Sequence, residues 1–310
     1  MRRFAWSIAA LALVAAALVA APPAASPNFP ARIDFPAGWR AEGIAVGRGH
    51  TFYAGNTATG SIYTGDLRTG EGSVLVPGKA GGSVFGVFAD NRDRIFAAGG
   101  RNCDALVYDA STGALIAHYT LTAPPCFIND VSVTNSGAYF TNTAGRPVLF
   151  RIPIGPNGEL GASSETLTLT PPVAGGNGIE ATPDGKTLVM VSITLSKFFT
   201  VDPETGATKE IVLDKPVLRG DGLILQGKTL YAAENLPSAA FPGLGGDVAV
   251  IELSPDLSSG TVVARLNSSD DPLVNPATAD RFGQLIYVVR RNVPGGTTFY
   301  LTRLEAPNGA

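Results

Sequence analysis

Side chains that carry oxygen recur at one kind of position in this chain, immediately before a short apolar run. The positions are Glu42, Asn129 with Asp130, Asn177, Asp221 and Asn275, with Phe85 at the corresponding place of the second run. Carboxylates and amide oxygens crowded into one narrow space repel one another unless a cation lies between them. Two or three carboxylates with amides and water form a set typical of Ca²⁺, whereas Mg²⁺ or Mn²⁺ demands tighter octahedral geometry.

Turn capping is the alternative role for each of these residues, because Asp and Asn side chains often cap bends. Three of the contexts are nevertheless alike, since Glu42, Asn177 and Asp221 are each followed by Gly and then Ile or Leu. Recurrence at one position of a repeat favours a metal site for the set as a whole.

The elements that would position this set follow from a repeated turn. An Asp stands four residues before a Gly in 66–70, 109–113 and 202–206, each time between two alternating apolar runs. Asp caps such a bend and Gly supplies its positive φ, so these are hairpins. Looser copies end at Gly158, Gly260 and Gly309. A repeat of roughly 45–50 residues is typical of a four-stranded propeller blade. The sequence therefore predicts an all-β, six-bladed β-propeller over residues 30–310.

In a propeller the first strand of each blade lines the axis, so the starts of these strands meet at one mouth of the central channel. The last copy of the repeat lacks an outer strand, because the chain has one residue after Gly309. An unassigned strand, 31–35, stands at the other end. We expect it to pair with the last blade, which completes the ring and removes an open sheet edge.

Composition and the first residues bear on partners and location. The chain carries 23 Lys plus Arg against 26 Asp plus Glu, without a basic stripe, so nucleic acid is excluded as a partner. Residues 1–25 combine Arg2 and Arg3 with an apolar run and small residues, a pattern typical of an export signal. An uncleaved anchor is the alternative, since about 18 apolar residues approach spanning length. We expect a secreted or periplasmic monomer without stable membrane association after signal removal.

The two cysteines outside this signal are Cys103 and Cys126. A lone pair in an exported protein usually bonds, so a disulfide is predicted, with two unpaired buried thiols as the alternative. The chain has no Cys-x-x-Cys pair or Cys/His cluster, which excludes structural zinc.

A family resemblance rests on several short motifs. They are Glu42-Gly43, the run Phe-Ile-Asn-Asp-Val at 127–131, Asn177-Gly178-Ile179 with Pro-Asp-Gly at 183–185, and Asp221-Gly222. These resemble motifs of the regucalcin/gluconolactonase superfamily of calcium-dependent lactonases, and the stretch 129–142 resembles its paraoxonase branch. The resemblance spans about residues 30–310 and implies a six-bladed propeller. It also implies a divalent metal, with calcium expected, on Glu42, Asn177 and Asp221, and Asp221 as general base. The equivalent of Asn129 in that superfamily helps to bind metal or substrate, and we expect Asn129 to be a metal ligand here. The implied activity is metal-dependent hydrolysis of small lactones or related esters.

The chain departs from that pattern at three positions. Phe85 stands where paraoxonases have a histidine, and Phe127 stands where gluconolactonase-type members have an arginine. Gly43 replaces the acid that holds a second metal in paraoxonases, so one metal is expected. Phe85, Phe127 and Asp130 are predicted to contact the substrate, and the two phenylalanines indicate a more apolar ligand unless they are core residues.

Histidine chemistry is disfavoured by the same pattern. His50 and His118 fall in predicted outer strands or their turns, which argues against a Ser/His/Asp triad. Glu180 and Glu234-Asn235 are expected near strand ends, either exposed or behind the ligand set. The segment 236–246 is interpreted as a lid over the channel or as an inert surface loop.

Two other functions remain open. One is a non-enzymatic ligand-binding propeller in which the metal is structural. The other is an enzyme that resembles strictosidine synthase, for which Glu180 would be the catalytic glutamate.

Overall fold

The structure, a computed structural model, describes residues 29–236, 248–267, 275–291 and 299–307. Within these ranges the chain forms β-strands and turns with no α-helix, so none of these residues forms a helix that could cross a bilayer. The predicted export signal, positions 237–246 of the predicted insertion and Gly309 lie outside the described residues.

The strands form five sheets. The first three are β2 (Ala41–Val46), β3 (Thr51–Asn56), β4 (Ile62–Asp66) and β5 (Gly72–Val76); β6 (Val87–Ala89), β7 (Arg94–Ala98), β8 (Asp104–Asp109) and β9 (Leu115–Thr120); and β10 (Ile128–Val133), β11 (Gly137–Asn142), β12 (Val148–Pro153) and β13 (Glu165–Thr168). An eight-stranded sheet contains β14 (Gly176–Ala181), β15 (Leu188–Ser192), β16 (Lys197–Val201), β17 (Thr208–Leu213), β18 (Gly220–Gln226), β19 (Thr229–Glu234), β20 (Val248–Leu253) and β21 (Ser259–Leu266). The last sheet has the order β1 (Arg32–Asp34), β24 (Phe299–Glu305), β23 (Leu285–Arg291) and β22 (Asn275–Phe282).

The eight-stranded sheet differs from the expected set of separate four-stranded blades. It consists of two antiparallel runs, β14–β17 and β18–β21, joined by a short parallel pairing of β17 with β21. The join is made by main-chain hydrogen bonds, from Val212 N to Ser258 O at 3.0 Å and from Asp214 N to Gly260 O at 3.1 Å. The fold is therefore all-β and propeller-like, with four separate sheets and one joined pair.

The N-terminal strand closes the ring as predicted. β1 pairs antiparallel with β24, Ile33 lying opposite Leu301. The Ile33 side chain is 2% exposed and packs with Phe52, Tyr63 and Leu301 in a cluster shared by the first and last sheets.

The strands that open each four-stranded run, called the first strands below, surround a central channel. β2, β6, β10, β14, β18 and β22 contact one another in that cyclic order, and β22 closes on β2. A cavity of about 190 Å³ in the middle of this ring is lined by residues of all six strands. The end of the channel at which the first strands begin is called the mouth.

The predicted hairpin turns form as expected in the clearest copies. Asp109 Oδ1 accepts a hydrogen bond from Thr112 N at 2.8 Å, and Gly113 adopts a φ of 71°. The copy near residue 256 differs, because Gly260 lies inside β21 and Leu257 instead adopts a φ of 56°. The expectation that Gly260 supplies this bend is wrong.

Candidate functional site

A β-bulge recurs at the start of the first strands. Five of these strands show a register shift against the second strand of their run, between Ala41 and Ile44, Ile128 and Val131, Gly176 and Ile179, Gly220 and Leu223, and Pro276 and Ala279. A bulge re-aims the side chains within it. Four bulges contain one expected ligand each, and all four are buried: Glu42, Asn129, Asn177 and Asp221.

The residues at the corresponding positions of the other two first strands have no side-chain oxygen. Phe85 precedes β6 as expected, but in the last sheet the equivalent residue is Ala277, because Ala279 takes the place that Ile44 has in β2. The assignment of Asn275 to this position is therefore wrong by two residues. No glycine marks the register there, as Gly43 does in β2.

Glycines beside the ligands let neighbouring first strands approach closely. A Cβ on Gly43 would overlap the Phe85 carbonyl oxygen, and one on Gly178 would overlap that of Asp221. The repeated Gly after an oxygen-bearing residue is thus explained by strand packing.

The Asp221 carboxylate is held by several donors. The Asn235 side-chain amide donates to its Oδ2, and the Asn177 side chain also hydrogen-bonds to it. Arg291 Nη2 lies 3.9 Å from the same Oδ2. Asn275 Nδ2 in turn donates to Asn235 Oδ1 at 3.4 Å, which orients the Asn235 amide towards Asp221. Asn275 thus joins the site indirectly, through a contact the sequence did not predict.

Glu42 and Asp221 form an electrostatically coupled pair at the mouth. Burial, followed by repulsion from Asp221, raises the pKa of Glu42 well above its usual value. Burial raises the pKa of Asp221 to about 6, although Arg291 and the two amides lower it. The structure therefore brings Glu42, Asn177 and Asp221 into one interacting group. Asn129 lies at the equivalent bulge of β10, with no side-chain hydrogen bond among the described residues.

The donor set fits a hard divalent cation. Among the described residues no group donates a hydrogen bond to the Glu42 carboxylate, and the buried Asn275 Oδ1 has no partner. Within the same ranges no cluster of three or more His, Cys, Asp and Glu side chains could hold a metal. A cation at the mouth would therefore need amide oxygens beside its two carboxylates, which is the chemistry of Ca²⁺ sites.

A second set of acids lies around the 190 Å³ cavity. Asp130, Glu180 and Asp280 line it from three strands. Asp130 accepts hydrogen bonds from Val131 N at 2.9 Å and Ile179 N at 3.3 Å. Burial raises the pKa of Asp130 to about 7, that of Asp280 to about 6 and that of Glu180 well above its usual value. Asp130, expected to contact substrate, thus belongs to this set.

These buried acids predict an unusual pH dependence of stability for the metal-free protein. The pKa of Asp280 is about 6 in the folded protein against an ordinary value of 3.8, so the folded state binds more protons between those values. The free energy of unfolding should fall as pH rises through this window, by about 1.4 kcal/mol for each unit of pKa shift, and level off above it. We expect a lower melting temperature at about pH 8 than at about pH 5 in chelator. Asp280→Asn should flatten the profile, and a higher melting temperature at the alkaline end would contradict this.

Phe85 and Phe127 form an aromatic wall beside the ligand set. Their ring centroids lie 4.6 Å apart at 67°, and both side chains are half-buried. The predicted disulfide is confirmed, with Cys103 and Cys126 bonded and their Cα atoms 5.7 Å apart. Cys126 immediately precedes Phe127, so the disulfide fixes the segment that carries one of the two rings.

The remaining sequence candidates lie away from the mouth or behind it. His118 is on β9 with its Nε2 2.8 Å from Asp104 Oδ2, and His50 packs against Phe29 and Phe282. Glu234 is fully buried, and Arg265 Nε lies 2.9 Å from its Oε2, so the option that it is exposed is wrong.

Two charged residues of the channel were missed from the sequence. Asp280 follows Ala279 as Glu180 follows Ile179, so a correct alignment of the last unit would have found it. Arg291 carries no comparable signal, since it ends β23 without a repeated context.

Comparisons with known proteins show similarity of fold. No protein-family model matches the chain, and no curated protein matches it. A gluconolactonase from Xanthomonas campestris has a TM-score of 0.60 and 15% identity, covering 86% of this chain and 87% of that one. Regucalcin from Agrobacterium tumefaciens, a calcium-binding protein, has a TM-score of 0.60 and 15% identity, covering 90% and 96%. The major allergen Mala s 1 of Malassezia sympodialis has a TM-score of 0.65 and 13% identity, covering 89% and 96%.

Proposed function

We propose that this protein is an exported, monomeric, six-bladed β-propeller that hydrolyses small lactones or related esters with a divalent cation, calcium, at the mouth of its channel. In this proposal the joined sheet counts as two blades that share an outer edge. The observation that carries it is the buried, coupled pair of Glu42 and Asp221 with Asn177 hydrogen-bonded to Asp221. Likeness of fold to a gluconolactonase and to the calcium-binding regucalcin supports the reaction class and the metal.

Glu42, Asn129, Asn177 and Asp221 would hold the cation. When bound, such a cation supplies Lewis-acid polarisation of a carbonyl and stabilises negative charge on its oxygen. Asp221 would take a proton from the attacking water, since it is a buried carboxylate at the mouth beside the proposed cation. Asn235 and Asn177 hold the Asp221 carboxylate in place for that transfer.

A calcium-binding propeller without turnover is the second candidate. The observation that favours it is that Asn235, Asn177 and Arg291 already surround the Asp221 carboxylate, which leaves fewer of its lone pairs free to take a proton from water. In such a protein the cation would stabilise the ring, and loss of Glu42 or Asp221 would lower thermal stability without affecting any reaction.

Titration calorimetry with CaCl₂ on chelator-treated protein tests the metal site. We expect Glu42→Gln to weaken calcium binding at least about tenfold, since it removes a carboxylate ligand. Glu180→Gln is the matched control, a channel carboxyl outside the proposed ligand set, and should bind calcium within about threefold of wild type. Absence of calcium binding by the wild type, or equal affinities of the two variants, would contradict the site.

Turnover is tested separately with an aliphatic δ-lactone and the aryl lactone dihydrocoumarin, each with added calcium and with chelator. Calcium-dependent hydrolysis supports the hydrolase. Tight calcium binding without hydrolysis of any lactone or aryl ester supports the non-enzymatic candidate.

A further inference from the structure

Arg101 lies at the mouth against the aromatic wall. It belongs to the loop between β7 and β8, and its Cζ is 5.4 Å from the centroid of the Phe127 ring. The side chain is exposed, and no carboxylate among the described residues pairs with it. A guanidinium stacked on a ring keeps its N–H edges free, and those edges match the geometry of a carboxylate.

The segment that carries Arg101 is tied to the segment that carries Phe127. The disulfide joins Cys103 to Cys126, one residue before Phe127. Gly100 N donates to Ile128 O at 2.9 Å, and Ile128 N donates back to Gly100 O at 3.0 Å. A Cβ on Gly100 would also overlap the Phe85 ring, so a glycine is needed for the wall to pack. The backbone that carries Arg101 is thus held beside the wall, which reduces the entropy lost when a ligand binds across both.

Other arginines on the mouth side share this unpaired state. Four exposed arginines in loops at the mouth have no carboxylate partner within the described ranges: Arg40, Arg101, Arg146 and Arg219. The charge of Arg219 lowers the pKa of Asp221, so its field reaches the ligand set. At the opposite end of the channel, Arg48 pairs with Asp93 at 2.9 Å and Arg94 with Asp90 at 2.6 Å. Arg92 and Lys228 at the opposite end are also exposed without an acid partner in the described ranges. What distinguishes the mouth is that one of its unpaired arginines, Arg101, lies against an aromatic wall.

We infer that the mouth binds small anionic molecules whose carboxylate pairs with Arg101 while their apolar part lies on Phe85 and Phe127. Arg101 is thus a specificity-determining residue, and the wall selects ligands that have an aromatic or aliphatic body. That such a ligand is also a substrate rests on the proposed function. If the protein is a hydrolase of that kind, its preferred substrates are lactones or esters that also carry a free carboxylate. Such a substrate places its negative end towards the arginines and away from Glu42 and Asp221.

A pair of probes of nearly equal size and shape tests the inference without any hydrolysis. Phenylacetate and phenylacetamide share a ring and differ in charge, and saturation-transfer NMR measures the affinity of each for the full protein. We expect phenylacetate to bind at least about fivefold more tightly at about 20 mM salt, and the preference to shrink at about 200 mM, because exposed charges are screened. Arg101→Gln should abolish the preference and leave the phenylacetamide affinity within about twofold.

The control is Arg68→Gln, which removes an arginine from a turn at the opposite end, where its Nη2 lies 3.6 Å from Asp66. It should retain the wild-type preference. Arg101→Lys provides a second variant: we expect it to keep part of the preference, because it keeps the charge and loses the planar fork. Equal affinity of the wild type for both probes overturns the inference. So does an Arg101→Gln protein that loses both probes equally, because Arg101 would then only support the wall.

Vesicles of phosphatidylglycerol distinguish a membrane surface from a small ligand. Arg101-dependent vesicle binding without a phenylacetate preference overturns the inference, whereas a preference without vesicle binding supports it. Because both probes are inert to hydrolysis, failure of lactone turnover leaves this binding result standing and removes only the step from ligand to substrate.

Discussion

Asp221→Asn is expected to lower kcat for any lactone that the protein hydrolyses by about 10²–10⁴-fold, the range associated with loss of a general base. The change keeps the size of the side chain and removes the carboxylate that Asn235 and Asn177 hold. Initial rates at saturating calcium, with calcium affinity measured in parallel, separate loss of the base from loss of a metal ligand.

Asp280→Asn is the matched control, since it alters another buried acid of the same channel, which lines the 190 Å³ cavity. It should keep kcat within about threefold once folding is confirmed by thermal denaturation. Turnover by Asp221→Asn within tenfold of wild type, at saturating calcium, would refute the assignment of Asp221 as base.

Ile33→Asp is expected to destabilise the whole fold by about 4 kcal/mol or more, because it places an unpaired charge where the strand β1 closes the ring. Ile33 is 2% exposed within the cluster that joins the first and last sheets. For a domain of this size the loss corresponds to a fall in melting temperature of roughly 8 °C or more.

Val74→Asp serves as the comparison, because Val74 is also a β-branched residue on a short strand but is 50% exposed. It should change the free energy of unfolding by at most about 1 kcal/mol. If the two variants melt at the same temperature, the N-terminal strand does not hold the ring closed.

The sequence predicted the architecture well where turn chemistry is local. The Asp and Gly of each clear hairpin turn act within five residues, so the repeat could be read without an alignment. The missing outer strand of the last unit led correctly to β1. The parallel join of β17 with β21 was not foreseen, because it depends on where two distant strand ends meet in space, through Val212 and Ser259.

The sequence predicted only those site residues that a repeated local pattern marks. Glu42, Asn177 and Asp221 share a following glycine, and strand packing explains that glycine. The last unit lacks the glycine, so the register was misjudged and Asp280 was overlooked. Arg291 and Arg101 were missed because long side chains reach the mouth from strand ends and loops, with no repeated spacing to mark them.

The seam between β17 and β21 has a consequence for how the ring moves. Across this seam main-chain hydrogen bonds must break before the two runs can part. A shorter backbone bridge joins the third sheet to this one, where Thr170 N donates to Gly206 O at 2.9 Å and Thr208 N donates to Thr170 O at 2.8 Å. Asn177 lies on β14 and Asp221 on β18, the first strands of the two runs that the seam joins. The separation of Asn177 and Asp221 is therefore maintained by backbone hydrogen bonds at the outer edge as well as by side-chain packing.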